Sequence, residues 1–257
     1  MLNSIGIIPA RMGSSRFPGK PLARICGITM IEHVYKRSVL SKILKDVYVA
    51  TCDSEIKDEV EPFGGKVVMT KDTHERASDR VAEAIQKLEN ELDYVFDIVV
   101  MIQGDEAMVY PEMIDEAVNP FHKDKSVLVT NLMSPLKTRE EHEDANEVKV
   151  VVDKENYALY FSREPIPSRK KWNKELRMLK QVCIIPFRKD FLHTFNSLQQ
   201  TPLEIVESID MLRVLESGYR VKMVLTQYDT YSVDTMEDLR KVESVMVNDT
   251  LMKTYSR

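Results

Sequence analysis

The sequence predicts an α/β fold: a mostly parallel sheet flanked by helices, with a smaller inserted lobe of mixed strands. Two observations carry this expectation. Short β-branched runs alternate with helical patterns through the first half of the 257 residues. After Pro111 that alternation gives way to strand-like runs broken by charged and proline-bearing stretches. Strand, helix, strand repeated at this spacing implies parallel strands with helices on both faces.

Element by element, Ile5–Ile8 reads as a buried strand, followed by a polar, Gly- and Pro-bearing loop through Lys20. Apolar residues recur at helical spacing over Met30–Leu40. Val47–Ala50 is a second strand, Ser54–Phe63 a short helix and Lys66–Met69 a third strand. Ser78 caps a helix running to Leu92, and Asp97–Ile102 is the fourth strand. Beyond Pro111, Ser126–Leu132 and Glu147–Val152 look like strands separated by a charged loop, 137–146. Residues 163–172 form an exposed basic arm, and Gln181–Phe187 is another strand. Glu204–Ser217 is one amphipathic helix stopped by Gly218. Arg220–Thr226 is a strand, and Met236–Val247 a last helix after Asp234. With no repeat, low-complexity tract or clear linker, residues 1–257 read as a single domain whose inserted lobe spans roughly 133–200.

Composition narrows the function classes. A net charge of −5 argues against broad nucleic-acid or anionic-membrane binding but permits a local basic pocket. The run Ile98–Ile102 is strand-sized, far from a membrane span, and Ile5–Pro9 is too short for a signal core. Cys26, Cys52 and Cys183 are odd in number and lack CxxC spacing, so they read as reduced residues of a cytoplasmic protein.

The loop after the first strand, Ile7-Ile8-Pro9-Ala10-Arg11-Met12-Gly13-Ser14-Ser15-Arg16-Phe17-Pro18-Gly19-Lys20-Pro21-Leu22, is the most informative stretch. In parallel sheets ligands bind at the strand carboxyl ends. The small residues Ala10, Gly13 and Ser14 let backbone N–H groups approach a triphosphate, while Arg11 and Lys20 neutralise its charge. The loop is neither GxGxxG nor GxxxxGK[ST], and its alternative reading is a solvated basic surface loop. A second candidate is Gln103-Gly104-Asp105-Glu106, delivered to the end of a central strand. An acidic pair there suits Mg²⁺, and Gln103 offers hydrogen bonds to a nucleotide or acceptor. Asp105 also suits a turn. Asp234 fits a helix N-cap with Glu237 completing a capping-box-like pattern. The five histidines show no HxH or HExxH spacing.

The pattern PAR-x-x-S-[ST]-R-x-P-GKPL resembles the signature of the CMP-Kdo synthetase family, the 3-deoxy-manno-octulosonate cytidylyltransferases. Further blocks follow in family order: Ser78-Asp79-Arg80, Gln103-Gly104-Asp105-Glu106, Val148-Lys149-Val150-Val151 and Tyr157 to Arg163. Pro202-Leu203-Glu204, Leu212-Arg213, Val233-Asp234-Thr235 and Glu237-Asp238-Leu239 complete them, so the resemblance covers nearly the whole chain. It implies a Rossmann-like nucleotidyltransferase sheet and CMP transfer from CTP to a Kdo-like 3-deoxy-2-ulosonic acid, with release of pyrophosphate. The product would be an activated sugar for lipopolysaccharide or capsule. Asp105 and Asp234 would pair to hold Mg²⁺ as catalytic residues beside Arg11 and Lys20, and Ser78 and Arg80 would contact nucleotide. Asn146, Lys149, Ser162, Arg163, Gln181, Glu204 and Glu207, with Gln103, match positions in or beside the sugar pocket. A homodimer through the mixed central region is implied as well; apolar residues near Ile166 and Trp172 either serve it or pack locally.

Departures from the family pattern gather at the acceptor. Gln181 and Ile185 stand where a histidine and a tyrosine are usual, Ala107 replaces a proline, and Arg76-Ala77 precede Ser78 where Ser-Gly is usual. Ser232, preceded by Tyr231, replaces the glycine before Val233-Asp234-Thr235. A pocket built on specific hydrogen bonds changes its preference when those groups change. Two alternatives stay open: cytidylyl transfer to another small acid such as a phosphonate, and nucleotide binding without turnover.

Overall fold

The computed structural model describes residues 2–14, 16–171 and 176–256. The chain forms two compact units, Met1–Asp115 with Thr230–Arg257, and Glu116–Asp229. The lobe expected at roughly 133–200 lies within the second.

The first unit is built on Ser4–Pro9 (β1), a small hairpin of Arg24–Ile25 (β2) and Ile28–Thr29 (β3), Met30–Ser38 (α1) and Leu44–Thr51 (β4). Ser54–Val60 (α2), Val67–Met69 (β5), Ala77–Leu92 (α3) and Ile98–Ile102 (β6) follow. Its strands lie in the order β6-β1-β4-β5, and every pairing is parallel. Ile7 sits opposite both Tyr48 and Met101. Ile5, Ile7, Ile8, Ile98, Val99 and Ile102 are fully buried, which is why these strands read as continuous apolar runs rather than alternating ones. Because the strands are parallel, β1, β4 and β6 release their following loops at one edge of the sheet.

Two expectations here are corrected. The helix over Ser54–Phe63 is α-helical only to Val60, then tightens into a 3₁₀ turn over Glu61–Phe63 at Pro62, which has no N–H to donate. Ser78 does not cap α3: Arg76 occupies the N-cap with extended backbone, and Ser78 is fully buried in the first turn.

Pro111–Lys123 (α4) leads into the second unit. Met113, Ile114, Ala117, Val118 and Phe121 are all buried along one helical stripe. Pro111 and Pro120 masked that pattern in the sequence. The second unit continues with Thr130–Pro135 (β7), Arg139–Glu143 (α5), Lys149–Val152 (β8), Ala158–Ser162 (β9) and Leu179–Val182 (β10). Ile184–Arg188 (β11), Lys189–Ser197 (α6), Pro202–Glu207 (α7), Met211–Glu216 (α8) and Lys222–Leu225 (β12) complete it. Its sheet runs β12-β7-β10-β8-β9, with β12 parallel to β7 and the other pairs antiparallel. The strand expected from Ser126 begins only at Thr130, since the Asp124 carboxylate accepts from Ser126 N (2.8 Å) and Oγ (2.7 Å) in a local turn. Gln181–Phe187 is two strands, separated at Cys183.

The single helix expected over Glu204–Ser217 is also two. Ser208 adopts a left-handed conformation (φ 54°) and ends α7. Arg163 takes the freed carbonyls, donating Nε to Glu207 O at 2.8 Å and Nη2 to Ser208 O at 3.5 Å. The buried spacing continues across this break through Ile209, Leu212 and Val214, so periodicity alone hides it.

The chain then returns to the first unit with Met236–Met246 (α9). Val233, Leu239, Val242 and Met246 pack with Ile25, Met30, Ala107 and Met108 in one apolar cluster. The following tail is tied to α1: fully buried Arg37 pairs with Asp249 and donates Nε to the Tyr255 hydroxyl at 2.7 Å. Burial pushes the Tyr255 phenol up to about 12. Cys26, Cys52 and Cys183 form no disulfide with one another, and among the described residues no helix is long and apolar enough to cross a membrane.

Candidate active site

The loop leaving β1 is stiff. Ala10 N still donates to Ala50 O at 2.9 Å, extending the parallel ladder by one residue. Met12 N then donates to Asp53 Oδ2 (2.8 Å), and Met12 O accepts from Gly19 N (3.1 Å), closing the loop on itself. Gly19 sits at φ 73°, where a side chain is strained, and Lys20 opens a 3₁₀ turn over Lys20–Leu22 with Pro21 buried. Lys20 is therefore aimed by its backbone.

Its ammonium meets both remote aspartates. Lys20 Nζ donates to Asp105 Oδ2 at 2.7 Å, to Val233 O at 3.0 Å and to Asp234 Oδ1 at 3.3 Å. Arg16 Nη2 reaches the same Asp234 oxygen at 3.0 Å. A main-chain bond from Val233 N to Asp105 O (3.1 Å) joins the two segments directly. The apolar cluster under Val233 sets this meeting, and Ala107, the departure from proline, is fully buried within it. Gly104 has its own reason: a Cβ there would lie 3.2 Å from Pro9 O, so the end of β6 passes close to the end of β1. Burial alone lowers the affinity of Lys20 for its proton. Asp105 and then Asp234 outweigh it, holding the lysine above its usual value and charged.

The N-cap reading of Asp234 is corrected. Thr235 caps α9, accepting from Asp238 N (3.2 Å), while Asp238 Oδ2 accepts from Thr235 N (2.8 Å) in a capping box. Asp238, not Glu237, completes the box, and the Asp234 carboxylate is turned toward Lys20 and Arg16 instead.

A cleft of about 280 Å³ opens beside this pair. Of the residues expected at a nucleotide, Ala10, Arg11, Gly13, Ser14, Lys20, Arg80 and Gln103 line it, as does Asp105. Ser78 does not, being fully buried. Arg11 is exposed, and among the described residues its guanidinium has no partner. Arg80 is 3% exposed and donates Nη1 to Thr70 Oγ1 and to Lys71 O (3.4 Å), so it is no surface arginine. Sequence reasoning left Arg16, His74, Glu75 and Arg76 unassigned, yet all four line the cleft. Arg16 lay inside the quoted loop motif and Arg76 among the departures from the family pattern; His74 and Glu75 carried no signal of their own.

Glu83 fixes the wall that presents His74. It accepts from His74 Nε2 and from Lys71 N (3.0 Å), and pairs with Lys87 at 2.8 Å. Burial opposes its ionisation, but Lys87, His74 and the Lys71 N–H overcome that and hold the carboxyl at about 2, below its ordinary 4.5. A carboxylate whose folded value lies below its unfolded one stabilises the fold above about pH 4.5 and stops doing so as pH falls toward 2. Glu83→Gln should therefore lower the melting temperature at pH 7, and the gap to wild type should close in scans between pH 4.5 and pH 2. A gap that widens with acid would contradict the assignment.

Among the described residues no group of three or more His, Cys, Asp and Glu could hold a metal. The donor set at Asp105 and Asp234 is oxygen-only, two carboxylates. That fits Mg²⁺, which takes one or two carboxylates and completes its shell with water and substrate phosphates.

In the second unit, four of the residues expected near an acceptor form one network. Glu207 Oε1 accepts from Ser162 Oγ (2.8 Å) and Tyr160 OH (3.2 Å), and Oε2 accepts from Arg163 N (2.9 Å). Burial raises the Glu207 carboxyl, but these donors pull it below its ordinary value. Lys149 is fully buried, donating to Asp144 O (2.7 Å) and to Arg163 O, and burial lowers its affinity for the proton. Asn146 is exposed. Gln181 Nε2 donates to Asn131 Oδ1 at 2.6 Å, and Ile185 is buried. Glu204 is a correction. It is fully buried in a bidentate pair with Arg213 (2.8 and 2.5 Å), with no surface to offer a ligand.

Comparison with known proteins supplies what geometry does not. Residues 5–225 match the cytidylyltransferase family. The chain is 44% identical over 92% of its length to a 3-deoxy-manno-octulosonate cytidylyltransferase of Geotalea uraniireducens (strain Rf4), covering 96% of that protein. It is 42% identical over 95% of its length to an 8-amino-3,8-dideoxy-manno-octulosonate cytidylyltransferase of Shewanella amazonensis (strain ATCC BAA-1098 / SB2B), covering 98% of it. Among solved structures it resembles a CMP:2-keto-3-deoxy-manno-octonic acid synthetase complexed with CTP. The TM-score is 0.86 at 36% identity, over 95% of this chain and 98% of that one.

Proposed function

Because the chain belongs to the 3-deoxy-manno-octulosonate cytidylyltransferase family of nucleotidyltransferases, we propose that it joins CMP from CTP to a Kdo-type 3-deoxy-2-ulosonic acid in the cytoplasm. Pyrophosphate is the second product, and the activated sugar serves lipopolysaccharide or capsule synthesis. One observation carries the chemistry: Asp105 and Asp234, remote in sequence, meet on Lys20 beside a cation-lined cleft.

In this reading Arg11, Lys20 and Arg80 neutralise the triphosphate, with Ala10 lining the cleft and the main-chain N–H groups around Gly13 and Ser14 close to its oxygens. Gln103 hydrogen-bonds nucleotide or acceptor. Asp105 and Asp234 would hold Mg²⁺. When bound, that ion polarises the α-phosphate and lowers the pKa of the acceptor hydroxyl. The hydroxyl oxygen forms the new bond to the α-phosphorus, its proton leaves to solvent, and the bond to the pyrophosphate oxygen breaks. Arg11 and Lys20 stabilise the charge gathering on the leaving pyrophosphate, so positioning and electrostatics do most of the work. No histidine or cysteine nucleophile is needed.

The acceptor set belongs to the second unit. Asn146, Arg163 and Gln181 carry the polar groups offered to the sugar acid, while Lys149 and Glu207 hold Arg163 in place through its main chain. Ser162 acts there through the Glu164 N–H (3.0 Å) and Glu207. A homodimer built on the 133–200 stretch is part of the same reading; of the residues expected to serve it, Ile166 is half-buried and Trp172 lies outside the described residues, while Leu159 of β9 and Leu176 are exposed.

Relatives named for either sugar are similar to the chain at 42–44% identity, so the acceptor is decided by assay. Pyrophosphate release from CTP with Mg²⁺ should appear with Kdo or its 8-amino analogue. Release only with phosphonates would replace the acceptor assignment. CTP binding with no release across the panel would contradict the enzyme reading.

A further inference from the structure

The four charged groups at the meeting point balance: Lys20 and Arg16 stand against Asp105 and Asp234. Three of the four side chains are largely withdrawn from solvent, with exposures of 17% for Lys20, 23% for Asp105 and 17% for Asp234. Arg16 is half-exposed at 51%. The contacts fall on particular oxygens. Lys20 takes Asp105 Oδ2, and Lys20 and Arg16 both take Asp234 Oδ1. Any divalent ion drawn to these carboxylates competes for oxygens already neutralised by two cations 2.7–3.3 Å away. Like charges at that distance, partly out of water, repel strongly. A triphosphate brings several negative charges to the cleft that Arg16 and Lys20 both line. It gives those two cations an alternative partner and frees the carboxylates.

We propose that Lys20 and Arg16 gate the metal site: they mask Asp105 and Asp234 as internal counter-ions and release them to a divalent cation only when a nucleoside triphosphate draws the two cations onto its phosphates. This rests on the metal assignment made above. Its consequence is thermodynamic coupling, since whatever nucleotide does for the ion, the ion does equally for nucleotide. The cost of unmasking falls on any ion that arrives alone, so a free divalent cation does not occupy the site ahead of substrate.

The test is Mn²⁺ binding to the full chain by electron paramagnetic resonance, Mn²⁺ being another oxygen-seeking ion. It is run with and without a methylene-bridged CTP analogue that resists cleavage. The analogue should raise wild-type Mn²⁺ affinity by about 5- to 150-fold, the usual range of such couplings. Lys20→Met should bind Mn²⁺ tightly without the analogue and gain less than about threefold from it, well under that range. Lys20→Arg keeps the charge and should keep the coupling. Should Lys20→Met lose its native circular dichroism, Arg16→Met supplies the second arm, with tighter Mn²⁺ binding expected before nucleotide is added. Asp105→Asn in each background marks the site by abolishing the tight binding. Wild type that binds Mn²⁺ without nucleotide as tightly as the variants, in an Asp105-dependent way, overturns the gate and leaves the proposed reaction standing. Mn²⁺ binding indifferent to Asp105 in every state overturns the metal assignment and the gate together.

Discussion

Asp105→Asn should abolish pyrophosphate release from CTP, with kcat falling by about 10³-fold or more while the protein still folds. Metal-assisted charge stabilisation is worth several kcal/mol, and each 1.36 kcal/mol is a factor of ten in rate. Asparagine keeps the shape and the main-chain bond from Val233 N, so the meeting of the two segments survives. What disappears is one carboxylate charge facing Lys20. Asp234 still faces Lys20, so the lysine keeps a counter-ion and the stability cost should stay below the about 3–5 kcal/mol of breaking a fully buried pair. Asp234→Asn should match it, and the double variant should be little worse than either single one, because residues acting as a unit are not additive. Steady-state rates beside a thermal melt check all of this. Unchanged turnover in Asp105→Asn would remove the carboxylate from the reaction.

Glu204→Ala should instead unfold the second unit easily. Arg213 is 3% exposed, donates Nη1 to Phe195 O at 3.3 Å and lies 4.6 Å over the Phe195 ring, so it cannot turn out to water. Removing Glu204 takes away the carboxylate that holds that buried guanidinium in a bidentate pair, a loss of about 3–5 kcal/mol. It also removes the acceptor for Thr201 N at the start of α7. Against a typical total of about 5–15 kcal/mol this is a large fraction. At about 2–4 °C per kcal/mol the melting temperature should fall by roughly 6–20 °C. A residue that bound the acceptor would instead raise the KM for sugar and leave the melt unchanged. The melt and the KM of the same variant therefore separate the two roles.

The contrast between these residues shows what could be read from the sequence. The parallel half of the fold was legible because β1, β6 and the Val47–Ala50 part of β4 are buried on both faces and so read as short apolar runs. The mixed half was less so. Ser208 breaks a helix without disturbing its buried spacing, and α4, with a proline at its start and another inside, was assigned no element. At the site, the residue types were legible while their partners were not. Lys20, Asp105 and Asp234 stood out by chemistry, yet nothing in their spacing shows that Thr235 and Asp238 take over the helix cap and leave Asp234 to face the lysine. Arg16 looked like one more loop cation until its contact with Asp234 was seen. Glu204 and Lys149 misled because charge suggests a surface or a ligand, and burial is decided by packing that no single position reveals.

The most direct test of the account is a crystal of the chain grown with the methylene-bridged CTP analogue and Mn²⁺, with the ion located by its anomalous scattering. One peak is expected, bonded to carboxylate oxygens of both Asp105 and Asp234 and to the nucleotide's phosphates, with Arg11 and Lys20 on the same triphosphate. A peak that touches neither aspartate, or a triphosphate seated away from the loop between Ala10 and Lys20, would contradict it.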